Sequence, residues 1–164
     1  MTSQMKRHVD KNGTCHLLIT CYHRTFAAEL PHIERVALRV ACLPNLPHSF
    51  ARELFGSILS LKEELQRYTA TAEIAVYPFA GTRDGALMVD EHAHGQRALM
   101  QRLTHTREVA SRASTASRIA MELRDALVQL EERLLKYFAL ERTLGTAELT
   151  VPDGDPVEDA TSAA

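Results

Sequence analysis

Tyr137 and Glu141 stand four residues apart at the end of a run in which Ile119, Leu123, Leu127, Leu130 and Leu134 repeat at steps of four, four, three and four. Such spacing lays one apolar face along a helix, and Tyr137 and Glu141 continue that face. A carboxylate in an apolar stripe is costly unless a hydrogen bond, a counter-charge or a metal ion compensates it. Three other helical patterns offer partners. His23 falls between Ile19 and Phe26, Tyr68 lies in the stripe Leu54, Ile58, Leu61, Leu65 and Ala72, and His92 shares a side with Met88, Leu99 and Leu103. Two imidazoles, a carboxylate and two phenols make a donor set that ferric iron accepts, because hard phenolate oxygen suits Fe(III) and neutral imidazole also suits iron. Without a metal the phenols, with a reference pKa of about 10, stay neutral. They then donate to Glu141, and His23 and His92 complete a satisfied polar layer. Both chemistries stay open at this level.

The elements that must position these residues are helices. Long runs rich in Ala, Leu, Arg and Glu, few Gly and Pro and no Trp favour an all-α chain. Asn12-Gly13 reads as a break, with Thr14 as the N-cap of a first helix near 14–43 that carries Ile19, Phe26, Leu30, Ile33, Ala37 and Val40 and is kinked at Pro31. Pro44-Asn45-Leu46-Pro47 separates it from a second helix near 47–76, which Tyr77-Pro78-Phe79-Ala80-Gly81 ends. Thr82 or Asp84 can cap a third, near 84–110, and the polar stretch from Thr104 to Arg118 leads into a fourth, near 115–144. Short connections imply antiparallel neighbours, hence an up-down-up-down four-helix bundle. In that topology His23, Tyr68, His92, Tyr137 and Glu141 share one layer at one end. The domain reading is a flexible N-terminus over 1–13, the bundle over 14–146 and a disordered acidic tail over 147–164.

At 164 residues and 45% hydrophobic content the chain can bury one good-sized core. A net charge of −2, with basic residues scattered among acidic ones, gives no footprint for nucleic acid or an anionic membrane. The start Met-Thr-Ser-Gln-Met-Lys-Arg-His lacks the apolar stretch of a secretory signal. Cys15, Cys21 and Cys42 are odd in number and form no C-x-x-C pair, which suits a reducing compartment and points to the cytoplasm. Cys21 and Cys42 read as buried small hydrophobes. His94, two residues from His92, points to the opposite side of its helix, His16 reads as a core or rim residue, and His32 and His48 as surface residues. Sequence signatures of nucleotide, zincin and hydrolase chemistry are lacking.

Several strings together resemble the hemerythrin-like (HHE) domain family, and more closely its di-iron proteins of iron-sulfur cluster repair. They are Tyr22-His23, Glu29-Leu30-Pro31 and Val40 for the first helix, Glu64-Leu65 and Tyr77-Pro78 for the second, Glu91-His92 for the third and Leu140-Glu141 for the fourth. The resemblance covers roughly Leu17 to Leu144. It implies a four-helix bundle holding iron, as one ion or a pair, with a small diatomic molecule as ligand and a role in stress response. His23, His92 and Glu141 match ligand positions of that family. Its second-helix H-x-x-x-E reads Tyr68-Thr-Ala-Thr-Ala72 here, its last motif reads Tyr137-Phe-Ala-Leu-Glu141, and Pro44 lies near where a further histidine is expected. One helical step turns Glu73 about 100° from Ala72, so it replaces the missing carboxylate only on a distorted helix. The family's cysteine-bearing N-terminal region has no counterpart. The alternative expectation is a metal-free bundle that works as a structural or interaction module, through self-association or a client protein.

Overall fold

In the computed structural model the described backbone covers residues 3–77, 83–113 and 117–146, and the described side chains 17–74, 77, 92–113 and 117–143. Apolar residues at steps of three and four produce four long helices among these residues: α1 (Ser3–Ala41), α2 (His48–Thr71), α3 (Arg83–Ser111) and α4 (Arg118–Thr146). A π-helical turn, Ala72–Val76, extends α2. No strand occurs among the described residues.

Pairs of contacting residues fix the topology. Lys62 reaches Glu34 at 2.6 Å while His23 reaches Glu73, so α1 and α2 run antiparallel. Tyr68 meets His92 while Arg112 pairs with Glu53, which orients α2 against α3 in the same way. Gln96 with Glu141 and Arg107 with Glu131 do so for α3 and α4, and Arg133 with Glu29 and Tyr137 with His23 for α4 and α1. Each helix thus packs on its two chain neighbours and the ring closes between α1 and α4. The protein is an all-α four-helix bundle.

The stripes read from the sequence meet in its core. Ile19, Phe26, Ile33, Leu54, Ile58, Leu61, Leu65, Leu99, Leu103, Leu123, Leu127, Leu130 and Leu134 are all buried. Ile119 is only half-buried, because the inward face of α4 begins at Ala120 and Leu123. The first helix begins at Ser3 rather than Thr14 and runs through Asn12-Gly13, so that pair does not start it. It also continues through Pro31. Cys21 and Cys42 are exposed, contrary to the expectation of burial: each lies two residues from an inward side chain, His23 or Val40, and two helical steps of about 100° carry it to the outer face. At the α3–α4 junction Arg124 donates to the carbonyls of Ser111 at 2.5 Å and Ala113 at 2.7 Å, satisfying acceptors that the end of α3 leaves free. The expected tail lies outside the described residues, as do the side chains of Cys15, His16 and Met88.

Candidate functional site

The five residues singled out in the sequence converge at one end of the bundle. His23 comes from α1, Tyr68 from α2, His92 from α3, and Tyr137 and Glu141 from α4. Glu141 is the centre. Its Oε2 accepts from Tyr68 Oη at 2.5 Å and from Gln96 Nε2 at 2.9 Å. Its Oε1 accepts from Tyr77 Oη at 2.7 Å and lies 2.9 Å from His92 Nε2. His92 Nε2 is also 2.6 Å from Tyr68 Oη, with the two rings stacked at 4.4 Å. From Tyr77 the contacts continue to Tyr137 Oη at 2.6 Å, to His23 Nε2 at 2.8 Å, and from His23 Nδ1 to Glu73 Oε1 at 2.5 Å.

Tyr77, Gln96 and Glu73 join the five for different reasons. Gln96 follows His92 by four residues and precedes Leu99 by three, so the same spacing rule places it on the inward face. Tyr77 is nine residues after Tyr68, which on a regular α-helix is the opposite side. The π-helical turn changes that. Tyr77 N–H donates to Ala72 O, a five-residue span, and the wider turn rotates the Tyr77 ring back toward the layer. Glu73 lies on the distorted segment, yet it does not take the place of Ala72, which is fully buried. The Glu73 side chain is 58% exposed and meets His23 from the rim. His94 is exposed and pairs with Arg97, and His32 and His48 are exposed as well.

Burial and charge set the protonation of the layer. Burial alone would raise the Glu141 carboxyl, but His92 beside it and the phenolic donors hold it below its usual range. Burial first, and the Glu141 charge second, push the Tyr68, Tyr77 and Tyr137 phenols far above their ordinary value. An ionised Glu141 only accepts, so Tyr68 and Tyr77 spend their protons on it. Tyr77 oxygen then accepts from Tyr137, and Tyr137 oxygen from His23 Nε2. The last contact, His23 Nδ1 to Glu73, needs one further proton, on the ring or on the carboxyl. Gly95 makes room for this arrangement: a Cβ there would stand 3.1 Å from Tyr68 Cδ2.

Among the described residues no three His, Cys, Asp or Glu side chains stand close enough to hold a metal ion, so any ligand set here has to include phenol oxygens. The contacts among Tyr68, Tyr77, His92 and Glu141 run from 2.5 to 2.9 Å. Oxygen and nitrogen ligands about 2.1 Å from one ion stand about 3 Å apart, and these pairwise contacts are a few tenths of an ångström shorter than that. By its chemistry, phenol oxygens with a carboxylate and an imidazole, the donor set is of a kind that ferric iron accepts. No family model matches the chain, and no curated protein or solved structure is significantly similar to it.

Proposed function

We propose that this protein is an iron-binding bundle of hemerythrin-like type, with an altered centre in which phenols stand where imidazoles are expected. The observation that carries the reading is the convergence on Glu141 of Tyr68, Tyr77 and His92, drawn from three helices, with Tyr137 and His23 joined behind them. Iron bound there would supply a Lewis-acidic, redox-active centre. The chain's own part is to hold it: Glu141 provides a carboxylate that is already ionised, Gln96 orients that carboxylate, and Tyr137 donates to the Tyr77 oxygen. The buried leucines below the layer exclude water from one side. Service in stress response or iron-sulfur cluster repair, with a small diatomic ligand, belongs to the same proposal and rests on the resemblance of the sequence strings. So does a cytoplasmic setting, which rests on the cysteine pattern; no helix among the described residues is long and apolar enough to cross a membrane.

One observation favours a second reading. Tyr68, Tyr77, Tyr137, His23 and His92 each already pair within the layer, which is what a metal-free polar plug requires. Thermal melting separates the two. Iron that binds only the folded state, at about 100 times its Kd, stabilises by about 2.7 kcal/mol, and a chelator reverses the gain. An unchanged melting temperature after anaerobic iron loading would reject the iron reading, leaving a bundle that acts through its surface on a client or a second copy.

A further inference from the structure

We infer that the site takes one ferric ion, not a pair, held by Tyr68, Tyr77, His92 and Glu141, with His23, Glu73 and Tyr137 outside the ligand set. The inference rests on the iron-binding reading and specifies its stoichiometry, oxidation state and ligands.

Charge balance carries the argument. Buried charge is tolerated only where it is compensated, and a metal is the largest local charge in such a site. Glu141 contributes one negative charge, and the phenols of Tyr68 and Tyr77, each within hydrogen-bond reach of the Glu141 carboxylate, contribute two more once their protons leave to solvent. Three negative charges neutralise Fe(III), and the imidazole of His92 adds a neutral donor that touches both Glu141 and Tyr68. Binding is therefore balanced as one ferric ion in and two protons out. A divalent ion in the same cage would leave surplus negative charge, or one phenol still protonated.

Among the described residues a second ion has nothing comparable to sit on. Glu141 already serves four partners, Tyr68, Tyr77, His92 and Gln96. What is left among the described residues of the layer is Tyr137, His23 and Glu73, and the Glu73 carboxylate is turned to the far nitrogen of His23, more than half exposed. Two negative charges at most would face two or three positive ones. His23 is instead a positioning residue: held through Nδ1 by Glu73, it presents Nε2 to Tyr137, and Tyr137 presents its hydroxyl to Tyr77.

The test loads the full-length protein with ferric iron, removes the excess on a desalting column, and measures iron per chain together with the visible and electron paramagnetic resonance spectra. One iron per chain is expected, with a tyrosinate-to-iron charge-transfer band and the signal of an isolated high-spin ferric ion. Tyr68→Phe and Tyr77→Phe should each weaken the band, the double variant should abolish it, and Tyr137→Phe should retain it with a shifted maximum. Circular dichroism verifies that each variant folds. Two irons per chain with a spin-coupled, silent resonance spectrum would overturn the single-ion inference while leaving iron binding intact. Loss of the band in folded Tyr137→Phe would overturn the ligand assignment. Retention of no iron by the wild-type chain would remove the inference and the iron-binding reading together, a result distinct from the other two.

Discussion

Glu141 is the residue on which the buried polar chemistry turns, and its pH behaviour follows from its partners. Its folded-state value lies below the ordinary carboxyl value of about 4.3, so its contribution to stability is present above that pH and is lost as pH falls through the folded-state value. The phenols have the opposite sign. Their folded-state values lie above about 10, so the stability they contribute is present below pH 10 and is lost at higher pH. Base titration followed by ultraviolet phenolate absorbance should therefore show three of the four tyrosines ionising together with unfolding, rather than at the ordinary phenol value. Acid titration should show a smaller loss of stability in Glu141→Gln than in the wild type. In the metal-free protein, Tyr68→Phe should cost about 1–3 kcal/mol in denaturant unfolding, because it deprives a buried carboxylate of a donor. Two glycines give a paired test. Gly56→Ala meets nothing within 4 Å and should stabilise α2 by about 0.5–1 kcal/mol. Gly95→Ala should lose that gain or turn it into a cost, since its Cβ would press on the Tyr68 ring at 3.1 Å.

Among the elements, the π-helical turn separates what the sequence could reveal from what it could not. His23, Tyr68, His92, Tyr137 and Glu141 were legible because each sits on a regular apolar stripe, where the 3.6-residue period holds. Gln96 obeys the same period and was open to the same reasoning. Tyr77 was not, because its inward direction depends on a change of period over Ala72–Val76 that no residue there announces, and Tyr77-Pro78 reads as a plain break. The exposed Cys21 and Cys42 show the converse: residue type suggested burial, and helical phase decided otherwise. Deleting Ile74, which is largely solvent-exposed, removes the extra residue of the turn without touching the core. The segment should then relax to α-helix, and Tyr77, now eight residues after Tyr68 and so about 80° from it rather than opposite, should stay on the side of Glu141. The expected result is unchanged helical circular dichroism, with Tyr77→Phe still costing about 1–3 kcal/mol when it is added to the deletion.

For the whole molecule, stability comes from the stack of leucines below the polar layer. Leu127→Ala, at a fully buried position, should cost about 2–5 kcal/mol in denaturant unfolding. Leu135→Ala, on the outer face of the same helix and half exposed, should stay within about 0.5 kcal/mol of the wild type. Such a core is permissive about alignment, since leucines stacked at similar intervals can face one another in more than one way. The polar layer is not. Sliding any one helix by a turn, about 5.4 Å, would leave a buried carboxylate or phenol facing only methyl groups. Cross-links between all four helices at a single height thus serve as an alignment key. Even where they add little net stability, they penalise slipped assemblies that the apolar contacts alone would tolerate.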